Sequence, residues 1–265
     1  SVISVVGQGI TYSTTTFVNL GTLGTGPGGI VLDSAGNLFA TNGNAIQEIS
    51  PSGSVSLFAG DLAIAGSANG TGRAAQFNGP TGIAIDQSDN LYVADTGNNA
   101  IRKITPSGAV TTLAGFIEGD VDGVGITAEF SGPTAVAADD TGTVYVVDAG
   151  NNALRTIAAD GRTKTLLLGA DFSFIPTVDS QFPPSYTIRG VAADGAGNLY
   201  LAVEVSVPFG NGDFPSGTIA ILSVTTPGTY TPLTGTSLPS FSPLSQFHSF
   251  GDLATSKLPT SVRTI

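Results

Sequence analysis

The 265-residue chain has no cysteine, no methionine and no tryptophan, and its one histidine is His248. Without cysteine there are no disulfides, thiolate metal sites or cysteine nucleophiles. A single histidine excludes a zinc centre built on several imidazoles. Its context, SQFHSFGD, lacks a nucleophile elbow, so His248 is not expected to act in a triad. Charge is scarce too: 11% of residues are charged, with nine Lys and Arg against twenty Asp and Glu, a net of −11. Phosphate backbones are held by clustered Lys and Arg, so a nucleic-acid partner is not expected. No apolar run is long enough for a membrane-spanning helix, so no membrane insertion is expected. The absence of Met points to a mature, processed chain. Low Lys and abundant Thr, Ser, Gly and Asn point to an exported protein, extracellular or at the cell surface.

What is present is repetition. The segment PTGIAIDQSDNLYVADTGNNAIRKITPSGAVTTLAG, residues 80–115, contains four short apolar runs: Gly82–Asp86, Leu91–Ala94, Ala100–Ile104 and Val110–Ala114. Gly, Pro, Asn, Asp and Ser separate them, the residues that turns need, so the segment reads as a four-stranded antiparallel meander. Pro80-Thr81 returns as Pro133-Thr134, a step of 53 residues. The first run recurs as Gly29–Asp33, Ala135–Asp139 and Gly190–Asp194. The second recurs as Gly36–Thr41, Gly142–Asp148 and Gly197–Val203. The third recurs as Ala45–Ile49, Ala153–Ile157, Thr218–Leu222 and Ser261–Ile265. Ser1–Gly7 (SVISVVG) matches the fourth run Ser54–Gly60 (SVSLFAG). A third strand at one end and a fourth at the other allow a circular array to close with no open edge. The expected fold is therefore an all-β propeller in one domain. Its four-stranded antiparallel blades lie at about 27–60, 80–115, 133–169, 187–235, and 246–265 completed by 1–7.

NLYVADTGNNAIRKI followed by TPSGAVTTLAG resembles the NHL repeat of β-propellers. With the loop ending GRAAQFNGPTG, it is most similar to the secreted bacterial type. The resemblance covers residues 27–169 and 187–235 and weakens over 240–265. It implies six blades in the common form, whereas five copies of the third and fourth strands imply five; five is expected here, with six the alternative. Some NHL propellers bind RNA through a basic face, and related amidating lyases use several histidines. This chain has neither feature.

Several residues invite a functional reading. Each loop between repeats contains a Phe (Phe17, Phe77, Phe130, Phe182, Phe247), expected to fill the gap between blades. Asp33, Asp86, Asp139 and Asp194, and likewise Asp95 and Asp148, recur with the repeat. They are expected to close turns within their own blades, as are the pairs Asn98-Asn99 and Asn151-Asn152, because a catalytic centre breaks symmetry and a structural device keeps it. Glu118, Asp120 and Asp122 alternate before Gly123 and form a calcium candidate without the EF-hand spacing; no other cofactor is implied. Asn69-Gly70-Thr71 has the form of a glycosylation sequon.

The long connections after the second and fourth strands are expected on one face of the disc, the face that carries function. In the fourth repeat Glu204–Gly217 reads as an insertion. Phe172, Phe174, Tyr186, Phe209, Asn211, Asp213, Phe214 and Phe241 form the candidate contact surface for a protein, a second copy of this chain included, or for a glycan. The expected function is a non-enzymatic binding or structural module. The alternatives are a strand-sharing subunit of a surface assembly, and a propeller hydrolase or lyase with a metal over the channel.

Overall fold

The computed structural model describes residues 28–172, 185–194, 198–206, 218–226 and 229–232. Four antiparallel meanders follow one another along the chain as blades of a β-propeller. The first is β1 (Ile30–Leu32), β2 (Leu38–Asn42), β3 (Ala45–Ile49) and β4 (Val55–Gly60). The short β5 (Gly70–Thr71) precedes the second: β6 (Ile83–Ile85), β7 (Leu91–Asp95), β8 (Ala100–Ile104) and β9 (Ala109–Gly115). The pair β10 (Ile117–Glu118) and β11 (Glu129–Phe130) precedes the third: β12 (Pro133–Ala138), β13 (Val144–Asp148), β14 (Ala153–Ile157) and β15 (Thr163–Leu168). The fourth is β16 (Ser185–Ala193), β17 (Leu199–Ser206), β18 (Thr218–Thr226) and β19 (Thr229–Pro232). The expected fifth blade, His248 and the aromatics Phe17, Phe182 and Phe247 lie outside the described residues.

The first strands of successive blades adjoin one another, the place of the strands nearest the axis of a propeller. Their approach is close. A Cβ on Gly82 would stand 2.6 Å from the Thr134 carbonyl oxygen of the next blade. Apolar side chains fill the space between blades. Phe77 joins Ile46 and Ala59 of the first blade to Ile83, Val93 and Ile104 of the second. Phe130 joins Ile101 and Ala114 of the second to Val136, Val146 and Ile157 of the third. Both rings are fully buried. Burial on both faces explains the near-continuous apolar runs, since such strands need not alternate with polar residues.

The turn after each first strand is closed by its aspartate. Asp86 accepts from the N–H groups of Ser88 and Asn90, both at 2.9 Å. Asp33 and Asp139 do the same in their blades, and Asp194 accepts from Asn198 N–H. Burial pushes the Asp86 carboxyl up, but hydrogen bonds from Asn90, Tyr92 and Ser88 outweigh it and hold the group below its ordinary value.

Three expectations change. The long loops do not stay on one face. Residues 66–72 descend the outer edge of the second blade: β5 pairs with β9, and Gly72 N–H reaches the Gly108 carbonyl in the tight turn on the opposite face. The next loop does likewise, through Thr163 N–H to the Gly123 carbonyl and Gly125 N–H to the Gly161 carbonyl. Each loop thus covers the exposed edge strand of the following blade, a general need of open sheets. Second, Asn99 does not serve only its own turn. It adopts φ 50°, and its side-chain oxygen accepts from Gly132 N–H at 2.8 Å, at the entrance to the next blade. Asn44 and Asn152 make the equivalent bonds to Gly79 N–H and Ile188 N–H. Third, Glu204–Ser206 belong to a longer β17, paired to β18 up to Val205–Thr218, so these three residues extend the blade instead of forming an inserted loop.

Candidate functional site

Two polar constellations stand out, one buried between blades and one at the channel mouth. The buried one is built on β8 and β14. Arg102 Nη1 donates to Asp95 Oδ2 at 2.8 Å, with both side chains at 0% exposure. Arg102 also donates to the Gln76 and Ala68 carbonyls and to Asn69 Oδ1, and its guanidinium lies 5.3 Å from the Phe77 ring centre. Asp95 in turn accepts from Asn78 N–H and from the Asn98 amide. The third blade repeats this with Arg155, Asp148, Asn151, Ser131 N–H and Phe130. Arg155 also donates to the Glu129 carbonyl. Burial pushes the carboxyls of Asp95 and Asp148 up, against the pull of these donors. The same positions hold Asn42 and Gln47 in the first blade, bonded at 2.9 Å, and Val203 and Leu222 in the fourth. Every acidic oxygen in this constellation faces an arginine, an amide or a backbone N–H. It is a clamp, with no free acid–base pair for catalysis.

The channel-mouth constellation sits where the chain enters each first strand. The Thr41 hydroxyl donates to the Thr81 carbonyl, and the Thr81 hydroxyl to the Thr134 carbonyl, both at 2.8 Å. Thr96 lies 2.7 Å from the Thr81 hydroxyl and donates to the Pro133 carbonyl. In β12, Thr134 is the extra residue of a bulge; in β16, Arg189 takes that place, between Ile188 and Gly190. Glu204 stands one residue past Val203, as Thr96 stands one past Asp95. Arg189 Nε donates to Glu204 Oε2 at 2.6 Å. An ion pair thus occupies, in the fourth blade, the position that the Thr81–Thr96 hydroxyl pair holds in the second.

The NHL-repeat family model matches residues 77–104, the segment from the buried Phe77 through β8. The human NHL repeat-containing protein 2 is 32% identical over 108 residues, 36% of this chain and 15% of that protein. The chain thus carries an NHL repeat at residues 77–104. Mouse Teneurin-3 is 28% identical over 126 residues, 42% of this chain and 4% of that protein. The NHL-repeat chain therefore spans only a small part of either relative. A crystal structure of a protein of unknown function from Bacteroides thetaiotaomicron superposes with a TM-score of 0.50 at 26% identity, covering 54% of this chain and 39% of that one.

Of the site residues read from the sequence, the structure describes Tyr186, the backbone of Phe172, Glu118, Asp120 and Asp122. Tyr186 lies in β16, is 8% exposed and joins the core between the third and fourth blades, so it is not an exposed contact ring. The backbone of Phe172 ends a 3-10 turn. Phe174, Phe209, Asn211, Asp213, Phe214 and Phe241 lie outside the described residues. The three acids of the calcium candidate part company. Asp122 accepts from Arg155 at 2.8 Å and from Thr165 N–H at 2.9 Å, Glu118 faces the Ser131 hydroxyl, and Asp120 is exposed. Among the described residues no three His, Cys, Asp or Glu side chains gather to hold a metal ion. Nor, among these residues, is any helix long and apolar enough to cross a membrane. Sequence reasoning passed over Arg102, Arg155, Arg189 and Glu204. The available signal was positional: Arg recurs 53 residues apart in the middle of a strand, and Arg189 breaks the Pro-Thr pattern.

Proposed function

We propose that this NHL-repeat propeller is a non-enzymatic binding module whose ligand contacts fall on the face where the chain enters its first strands, at the sector of the third and fourth blades. The observation that carries this reading is the broken symmetry there. The corresponding positions are uncharged in the first three blades, Gly28 and Gly43, Thr81 and Thr96, Thr134 and Ala149, and the fourth presents the charged pair Arg189 and Glu204. A folding device recurs with the repeat, whereas a recognition device is singular. The longer β16, β17 and β18 of the fourth blade rise in the same sector. An exported setting fits the composition, with its many Thr, Ser and Gly and few Lys.

The test is a thermal-shift screen of the full chain against oligosaccharides, peptides and small organic acids. Hits are then incubated with the protein and weighed by mass spectrometry. The expected hit is recovered chemically unchanged. Its shift disappears in Thr134→Trp, which blocks the mouth, and survives in Ser107→Trp on the opposite face. Conversion of the ligand, or a shift untouched by Thr134→Trp, overturns the reading.

A further inference from the structure

Resting on that reading, we infer that Arg189 and Glu204 recognise a neutral, polyhydroxylated ligand, a glycan presenting adjacent hydroxyl groups. The geometry of the pair carries the argument. Both Nε and Nη2 of Arg189 meet the same Glu204 oxygen, Oε2, at 2.6 and 2.5 Å. That side-on contact leaves Arg189 Nη1, a donor only, and Glu204 Oε1, an acceptor only, without a partner among the described residues. A sugar hydroxyl both accepts and donates. Two neighbouring hydroxyls can therefore take Nη1 and Oε1 together without disturbing the pair.

Accessibility and placement agree. The side chains of Arg189 and Glu204 are 53% and 25% exposed. The β-bulge at Arg189 turns this residue out of the ladder, a common way of re-aiming a side chain. Nearby, the hydroxyl network around the mouth is interrupted. Thr81 and Thr96 donate onward to the third blade, but Ala149 holds the place of Thr96 one blade on. There the Thr134 hydroxyl makes no bond among the described residues, leaving a further donor and acceptor on the same side.

The charge balance selects neutral over acidic ligands. A ligand carboxylate binding Arg189 would meet Glu204 at hydrogen-bond range, on a chain of net charge −11. A polyol meets no such repulsion. Charged donor and acceptor pairs also form stronger hydrogen bonds to hydroxyls than neutral amides do.

The experiment is native affinity electrophoresis of the full chain in gels containing laminarin, xylan, galactan or mannan. At least one of these should retard the protein. Arg189→Ala and Glu204→Ala should each weaken that retardation at least tenfold while migration in a plain gel and the circular dichroism spectrum stay unchanged. Glu204→Gln, which keeps the size and one acceptor oxygen, should fall between. Absence of retardation by all four polysaccharides overturns the glycan inference, and so does equal retardation of the folded variants. Neither result bears on peptide or organic-acid ligands, which the thermal-shift screen reads separately.

Discussion

Arg102 and Asp95 form an ion pair from which water is wholly excluded, at 2.8 Å and 0% exposure of both side chains. Two strands of one blade supply the charges, and the loop arriving from the previous blade supplies the remaining partners: Gln76, Ala68, Asn69 and the ring of Phe77. The pair therefore fixes how one blade docks on the next. Breaking such a pair from one side leaves a buried charge uncompensated, at about 3–5 kcal/mol. Arg102→Gln should show this loss in chemical denaturation. The double replacement Asp95→Asn with Arg102→Gln copies Asn42 and Gln47 of the first blade, and should be more stable than Arg102→Gln alone. A double variant no better than the single would mean that Asp95 gains nothing from its arginine.

The strands and their order were legible because the repeat forces them: a 53-residue step, turn residues between apolar runs, and a Phe before each first strand. Arg102 and Arg155 were not. In a half-exposed sheet an Arg among apolar residues points to water, but these strands are covered on both faces, so no alternation marks which side chains turn inward. Asp122 was misread for a related reason. Its acidic neighbours are adjacent in sequence, while its partner Arg155 lies 33 residues away. The edge-covering role of the loops is likewise a property of the assembled disc, because the strand they cover belongs to the following repeat.

Asn99 combines two functions that substitution can separate. Its backbone is left-handed, φ 50°, and its side chain holds Gly132 N–H of the next blade. Asn99→Gly keeps the backbone and loses the bond, at about 1 kcal/mol. Asn99→Ala also forces a Cβ-bearing residue without a local polar partner into that region, for a total of about 2 kcal/mol. Thermal melts should rank the wild type above Gly and Gly above Ala. Equal loss in both variants would show that the side-chain bond contributes nothing beyond the backbone conformation.

Tyr145 should titrate late. Burial, then the charge of Asp139 and the hydrogen bond to it, push the phenol from 10.0 to about 12. The folded state holds this proton above the pH at which the unfolded chain releases it. The stability it contributes is thus complete below about pH 10 and is lost as pH rises toward 12. Tyrosinate absorbance should show a late-ionising group that moves down in Asp139→Asn. An unchanged titration curve in that variant would remove Asp139 as the cause.

The edge cover makes the sharpest demand on a single residue. β5 is only Gly70 and Thr71, yet it pairs with Val110 and Ala109 of the outermost strand of the second blade. Unpaired, that strand would offer its N–H and C=O groups to another chain, the usual route to edge-to-edge aggregation. A side chain at Gly70 cannot be accommodated in place. Its Cβ would stand 2.8 Å from the Ala74 carbonyl carbon and 2.9 Å from the oxygen, both backbone atoms. Gly70→Val should therefore lift β5 away from β9 and carry off Asn69, which holds Arg102 and Thr112. Blade cores built on Phe77 and Phe130 would remain, so circular dichroism should stay β-like while light scattering reports self-association that grows with concentration. Gly79→Ala is the matching control. Its Cβ meets nothing within 4 Å and bears only the strain of φ 56°, so it should lose stability without gaining association. If Gly70→Val stays monomeric at concentrations where it remains folded, the descending loop is not what protects the edge.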